Sequence, residues 1–127
     1  MTLEKLDHLV LPVSNIDAIA TFYTTYLGME KRIFGDNRVA LHFSDQKINL
    51  HPAGWDYEPK ARVSIAGSAD LCFIVSERME SLQTKLVQLG VDIIEGPVER
   101  TCATGCLRSI YIRDPDSNLL ELSNRAE

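Results

Sequence analysis

The sequence lacks the features that mark several large classes of protein. It contains no uninterrupted apolar run of about 18 residues, so it predicts no transmembrane helix. The amino-terminal segment MTLEKLDHL has no basic stretch followed by a long apolar one, so we expect no secretory signal and a cytoplasmic protein. Only 3 cysteines occur, and this odd count predicts reduced thiols rather than a disulfide framework. Cys72 is predicted to lie in an apolar core strand, and Cys102 and Cys106 in a loop.

Positive charge is also scarce. The chain has 13 Lys and Arg against 18 Asp and Glu, a formal net charge of −5, and no basic run. Such a balance argues against nucleic acid or an anionic membrane as a partner. The 127 residues, 45% of them hydrophobic, are enough for one globular domain with a sizeable core.

One succession of patterns occurs twice in this chain. An apolar strand, an amphipathic helix that Ser14 or Asn15 can cap and that a glycine ends, and three short strands come first. The same order then starts again, and its second strand is predicted at residues 91–98. An offset of 62 residues, the difference between 75 and 13, places Val13 on Val75 and Gly28 on Gly90. We therefore predict a single α+β domain of residues 1–127, with module one at 1–52, a Pro- and Gly-containing connector at 53–68 and module two at 69–127.

A histidine in the middle of the first strand, LDHLVLPVSN, needs a partner among apolar neighbours. For a lone strand histidine, that partner is usually an ordinary hydrogen-bond acceptor. The repeat changes this interpretation, because the same offset places His8 on Asp70. His51 follows Asp45 by six residues and Glu121 follows Asp114 by seven, so these two are predicted to occupy similar places in the last strand of each half.

These four polar residues become a candidate site if the two halves turn their sheets toward one cleft. Two imidazoles and two carboxylates suit a divalent transition metal, with nickel, zinc, iron(II) and manganese(II) all possible. A hydrogen-bonded network of the same side chains without a metal is the alternative. The predicted metal ligands are His8, His51, Asp70 and Glu121.

Three segments carry a resemblance to a known family: LDHLVLPVSN, FYTTYLGME and YIRDPDSNLLELSN. The sequence resembles the vicinal oxygen chelate superfamily, which includes glyoxalase I, bleomycin-resistance proteins, fosfomycin-resistance thiol transferases and extradiol dioxygenases. Within it, the segments DQKINLHPAG and GSADLCFIV are most similar to single-domain glyoxalase-domain-containing and lactoylglutathione-lyase-like proteins. The resemblance implies two βαβββ modules that form a curved mixed sheet around a metal-chelating cleft, the glyoxalase/bleomycin-resistance fold.

The resemblance also implies a ligand set and an assembly. The superfamily's ligand positions carry over to His8, His51, Asp70 and Glu121. Single-domain members are commonly homodimers, and where strands are exchanged the two histidines and the two carboxylates would come from different chains. Glyoxalase I has the order His, Glu, His, Glu, whereas this chain has His, His, Asp, Glu. The shorter Asp70 therefore leaves open a triad of His8, His51 and Glu121 with Asp70 behind it.

The chemistry implied by the resemblance is that of a glyoxalase I-like lyase or isomerase. Its substrate would be a small carbonyl compound or an adduct of glutathione or another thiol, bound through adjacent oxygens. Glu121 is the first choice for the base that moves the proton, and Asp70 is the second. An extradiol-type dioxygenase and a metal-free, bleomycin-resistance-like binding protein are the alternatives. The family usually has glycine at the position of Ser117, which predicts a left-handed backbone there.

Overall fold

The computed structural model describes residues 1–125 and divides the chain into two compact units. Unit one, Met1–Ser68, contains β1 (His8–Val13), α1 (Ile16–Leu27), β2 (Glu30–Phe34), β3 (Arg38–Phe43) and β4 (Gln46–Pro52). Unit two, Ala69–Glu127, contains β5 (Asp70–Ile74), α2 (Met79–Gln88), β6 (Glu95–Cys102), β7 (Gly105–Arg113) and β8 (Leu119–Arg125). Neither helix has the length and apolarity that crossing a bilayer would require.

Each unit is built on a mixed sheet of four strands. The strand order is β1-β4-β3-β2 in unit one and β5-β8-β7-β6 in unit two. In both sheets the first strand pairs parallel with the last, and the remaining pairs are antiparallel. This result confirms the predicted α+β class and the repeated order of strand, helix and three strands.

The first helix begins and ends where the sequence predicts. The Asn15 side chain accepts a hydrogen bond of 2.9 Å from the Ala18 amide, which satisfies one of the donors left free at a helix start. Gly28 ends the helix with a left-handed φ of 69°, a conformation that costs glycine little. Ile19, Ala20 and Tyr23 form the buried stripe of this helix.

In unit one, strand alternation separates the core from a second face. Six buried apolar residues of β1, β3 and β4 share one face of the sheet, the face on the side of α1: Leu11, Val13, Val39, Leu41, Ile48 and Leu50. Burying such a side chain stabilises the fold by roughly 1.5–3 kcal/mol. The alternate residues form what we term the helix-free face of unit one, which includes His8, Arg38, Lys47, Asn49 and His51.

Unit two repeats this arrangement. Ile110, Ile112, Leu120 and Leu122 are buried together on one face of the sheet. The helix-free face of unit two includes Asp70, Cys72, Ser109, Tyr111, Glu121 and Ser123. The sequence predicted Cys72 to belong to the core, and this is wrong: its side chain is exposed on the helix-free face, where its thiol lies 3.5 Å from the Ser123 hydroxyl.

The motif Asp-Pro-Asp-Ser-Asn forms a buried hydrogen-bonded turn before β8. The Asp114 carboxylate accepts hydrogen bonds from the backbone amide of Asn118 at 3.0 Å and from its side-chain amide at 2.8 Å. The Asn118 side-chain oxygen in turn accepts a hydrogen bond of 2.9 Å from the backbone amide of Ala69, the residue directly before β5. Ser117 has a left-handed φ of 65°, which confirms the prediction made for that position.

The hairpin of β6 and β7 differs most from expectation. The sequence predicted a strand at residues 91–98 and a loop through Cys102 and Cys106. Instead, β6 starts at Glu95, and residues 102 and 105 face each other at a tight turn. Gly96 has a φ of 103°, and a Cβ there would lie against the Ser109 carbonyl oxygen and 3.0 Å from the Ile110 Cα. Glycine and proline early in this segment interrupt the alternation that reveals strands.

Two glycine exchanges test the cost of left-handed backbone. We expect Ser117→Gly to raise the free energy of unfolding by about 1 kcal/mol, because it removes the left-handed penalty of a residue with a Cβ. Gly28→Ala is the matched exchange and should lower the free energy of unfolding. Nothing lies within 4 Å of a Cβ at this position, so the strain of the left-handed backbone is the only change. Urea denaturation measures both, and a destabilised Ser117→Gly would contradict this account.

Candidate functional site

His8 lies at the start of β1 with an exposed side chain. Its Nδ1 lies 2.8 Å from an Asp7 carboxylate oxygen, and the hydrogen bond with this imidazole is the main cause that lowers the pKa of Asp7. A carboxylate on Nδ1 fixes the ring so that Nε2 carries the lone pair. Histidines that bind metals through Nε2 commonly have this second contact.

His51, by contrast, is buried in β4 with 8% of its surface exposed. Arg38 donates a hydrogen bond of 3.0 Å to His51 Nε2 and another of 3.2 Å to the Tyr57 hydroxyl. The Tyr57 ring meets the imidazole edge to face at 4.5 Å between centroids. Burial, and secondly the Arg38 charge, lowers the pKa of His51, so the imidazole is held neutral with Nε2 as acceptor.

The strand register corrects one of the predicted correspondences. His51 pairs with Pro12, whereas Glu121 pairs with Cys72, which the repeat places on Val10. His51 and Glu121 are therefore two residues out of step, although each lies on the helix-free face of its own unit. The turn-to-strand spacing suggested equivalence because it cannot measure which residues pair across a parallel ladder.

Glu121 lies half-buried in the middle of β8. Its Oε2 accepts a hydrogen bond of 2.6 Å from the buried Ser109 hydroxyl and a longer one of 3.4 Å from Ser123. Ser109 and Glu121 lie on adjacent strands, since Tyr111 of β7 pairs with Glu121. These contacts orient the carboxylate on the helix-free face of unit two.

Asp70, the first residue of β5, is exposed and lines a cavity of about 380 Å³ together with Glu121. The other residues that line this cavity are Ile94, Glu95, Arg100, Tyr111, Arg113 and Leu119. All of them belong to unit two. The structure thus brings two of the four predicted ligands to one cavity within a single unit.

Opposite charges meet inside this cavity. Arg100 donates two hydrogen bonds of 3.1 Å, one from Nε to the Tyr111 hydroxyl and one from Nη2 to the Glu95 carboxylate. Burial, together with the Glu121 charge, raises the pKa of Tyr111 although Arg100 opposes that shift. Tyr111 therefore stays protonated at neutral pH, and its hydroxyl can donate to an oxygen of a bound molecule.

Sequence reasoning did not identify Arg38, Asn49, Arg100 or Tyr111. Of these, Asn49 alone shares a strand with a predicted ligand, two residues before His51. The other three lie on strands without a predicted ligand, so only the register across strands places them on the helix-free faces. Asn49 is 5% exposed, and its side-chain oxygen has no hydrogen-bond partner among the described residues. Within residues 1–125, no three His, Cys, Asp or Glu side chains form a group that could hold a metal ion.

The lowered pKa of His51 predicts a specific loss of stability on acidification. In the unfolded chain the His51 imidazole has its ordinary pKa of 6.5, whereas in the folded chain its pKa is lower. Stability therefore falls as the pH drops below about 6.5, by at most about 1.4 kcal/mol per pH unit. Urea denaturation with chelator at pH 7.5 and 5.5 should show a smaller loss for His51→Gln than for wild type. Equal losses would contradict the assignment.

Comparison with known proteins agrees with this architecture. The family model described as Glyoxalase/Bleomycin resistance protein/Dioxygenase superfamily matches residues 5–122. Virulence protein STM3117 of Salmonella typhimurium is 51% identical over 123 residues, 97% of this chain and 85% of that protein. Its crystal structure superposes with a TM-score of 0.96 at 50% identity, covering 99% of this chain and 100% of that one.

Two further relatives extend the comparison. Glyoxalase domain-containing protein RDO1 of Mycosarcoma maydis is 48% identical over 124 residues, 98% of this chain and 70% of that protein. Metallothiol transferase FosB of Shouchella clausii is 28% identical over 121 residues, 92% of this chain and 77% of that protein. With paired strand–helix–strand units and these matches, the chain belongs to the glyoxalase/bleomycin resistance protein/dioxygenase superfamily.

Proposed function

We propose that this chain is a metal-dependent, glyoxalase I-like enzyme that acts as a homodimer and isomerises a small carbonyl compound or thiol adduct. The observation that carries the proposal is the unit-two cavity, where Asp70 and Glu121 share the lining with Arg100 and Tyr111. Its volume of about 380 Å³ falls within the range of small-molecule sites, roughly 300–1,000 Å³. Among the relatives, the name of RDO1 refers to a glyoxalase domain and that of FosB to metal and thiol chemistry.

The proposed metal ligands are the four residues predicted from the sequence, and they differ in how well they fit a metal. His8 fits because the Asp7 contact occupies Nδ1 and leaves Nε2 for a metal. Glu121 fits because Ser109 orients its carboxylate through one oxygen. Asp70 supplies a second carboxylate on the same face of unit two. His51 has the weakest support, since Arg38 already occupies its Nε2.

The proposed chemistry divides between the metal and the side chains of the cavity. A divalent metal, when bound, polarises two adjacent substrate oxygens as a Lewis acid. Glu121 removes the proton on the carbon next to the carbonyl and returns it to the neighbouring carbon, and Asp70 is the second choice for this base. Arg100 and Arg113 hold an anionic group of the substrate, and the Tyr111 hydroxyl donates to a substrate oxygen.

A metal-free binding protein is the second candidate function. The observation that favours it is the hydrogen bond from Arg38 to His51, which satisfies a predicted ligand without a metal. In that case the same cavity would retain a small anionic molecule through Arg100 and Arg113 without chemical change. Metal titration separates the two candidates.

Removing proposed ligands should lower the bound metal. We expect His8→Ala and Glu121→Ala to weaken divalent-metal binding by about tenfold or more, because each removes a direct donor. His42→Ala is the matched control, since His42 lies on the same helix-free face of unit one and is no proposed ligand. Elemental analysis after equilibrium dialysis without chelator measures the metal content. Wild-type content in both test variants would contradict the metal site.

A proton-transfer role for Glu121 predicts a loss in kcat. On the hemithioacetal of methylglyoxal and glutathione, we expect metal-loaded wild type to be active and Glu121→Gln to be slower by about 100-fold or more. Stopped-flow absorbance of thioester formation provides the measurement. Equal kcat values at equal metal content would contradict the role of Glu121 as the base. An inactive wild type would remove this reaction from the proposal.

A further inference from the structure

We propose that the helix-free face of unit one carries a binding site for a phosphate group, formed by Arg38 and Lys47 beside the Phe34 ring. The site uses no residue of the unit-two cavity and requires no metal, so it does not depend on the proposed function. Three features of unit one support it: two cations that converge on one ring, the lack of a carboxylate partner for either cation, and the donors that Arg38 keeps free.

The two cations converge although they lie on different strands. Arg38 is the first residue of β3, and its guanidinium carbon lies 4.7 Å from the centroid of the Phe34 ring. Lys47, on β4, places Nζ 4.2 Å from the same centroid. The two cations are therefore no farther apart than these two distances added together. A phosphate group with a hydrogen bond of about 2.8 Å on either side spans that separation.

Neither of these half-buried cations has a carboxylate partner within residues 1–125, although the chain has 18 Asp and Glu against 13 Lys and Arg. Arg32, on the same face, shows the usual alternative, since it binds both carboxylate oxygens of Glu30, at 3.2 and 3.0 Å. A cation withdrawn from water without a counter-ion is costly. The pair of Arg38 and Lys47 therefore indicates a ligand that supplies negative charge, and two cations match a dianion.

The free donors of Arg38 favour tetrahedral oxygens over a planar carboxylate. Its Nη2 already donates to His51 at 3.0 Å and to the Tyr57 hydroxyl at 3.2 Å. Nη2 belongs to both forks of a guanidinium, so no parallel pair of N–H groups remains for a carboxylate. Nε and Nη1 have no hydrogen-bond partner among the described residues and keep donors for single contacts. A phosphate accepts such contacts from many directions, and the Lys47 ammonium binds it as a point charge.

Aromatic neighbours hold Arg38 in place before a ligand binds. Tyr57 uses its oxygen to accept from Arg38, so its hydroxyl proton remains available to donate to the ligand. The Tyr57 ring stacks on Trp55 at 6.2 Å between centroids, with 25° between the ring planes. A site organised in advance loses less conformational entropy on binding. Trp55 is the single tryptophan of the chain, so its fluorescence reports on this contact.

The test is isothermal titration calorimetry of the chelator-stripped chain with inorganic phosphate, at constant ionic strength. We expect wild type to bind, and Lys47→Gln and Arg38→Gln to bind about tenfold or more weakly, because each loses a charge-assisted contact. Lys31→Gln is the matched control and should bind within about twofold of wild type, since it removes the same charge from the opposite face of β2. Trp55 fluorescence should respond to phosphate in wild type and in this control.

Two further ligands define the chemistry that the site takes. Phenyl phosphate that binds more tightly than inorganic phosphate assigns the site to a phosphate ester, and weaker binding assigns it to the free ion. Succinate, a dianion with two planar carboxylates, should bind about tenfold more weakly than phosphate. Succinate that binds more tightly than phosphate overturns the assignment.

The variants also decide where the anion binds. Loss of phosphate binding in Glu121→Ala with wild-type binding in Lys47→Gln would locate the anion in the unit-two cavity and overturn the inference. Failure of wild type to bind phosphate at up to about 10 mM overturns it as well. Thermal midpoints verify that each variant folds, and Lys47→Gln alone decides the test if Arg38→Gln does not fold.

Discussion

The parallel pairing of the first and last strands in each unit is the constraint on which the candidate site depends. In unit two it is held by buried hydrogen bonds, since Asp114 binds Asn118 and Asn118 binds the Ala69 amide directly before β5. In unit one the corresponding contact is more exposed: the Gln46 side chain donates a hydrogen bond of 2.9 Å to the Leu6 carbonyl oxygen. These contacts fix the register, and the register decides which polar side chains are neighbours.

The two units use the same backbone plan to present different chemistry. On the helix-free face of unit one, cations dominate: Arg38 and Lys47 both lie over the Phe34 ring, at 4.7 and 4.2 Å. On that of unit two, a guanidinium and a carboxylate are each tied to a partner, Arg100 to Glu95 and Glu121 to Ser109. Divergence of a repeat thus altered side chains on one face and left the helix-bearing faces apolar.

Local signals in the sequence were sufficient for much of the fold. Asn15 and Gly28 bound the first helix because capping depends on neighbouring residues only. Alternation revealed which residues share a face, but it could not reveal which face is covered, so Cys72 was misplaced in the core. The β6–β7 hairpin was missed because its pairing depends on contacts across the turn that local propensity does not encode.

The candidate site was less accessible to sequence reasoning for a related reason. His8, Asp70 and Glu121 stand out as polar residues on apolar strands, and the strand register of the structure places them on the helix-free faces. The relation of His51 to Glu121 depended on counting from turns, and only the ladder shows a difference of two residues. Asn49 attracts no attention in a sequence, since an amide on a strand becomes informative only when its oxygen is seen to be unpaired.

The close approach of Gly96 to the backbone of β7 links the candidate site to a residue that carries no side chain. The glycine lets β6 lie against the backbone of Ser109, whose hydroxyl orients the Glu121 carboxylate. A side chain at position 96 would push on β7 at that residue and so displace the hydroxyl from the carboxylate. A substitution at Gly96 would therefore disturb the proposed base Glu121, although position 96 lies on another strand and every polar residue of the candidate site stays in place.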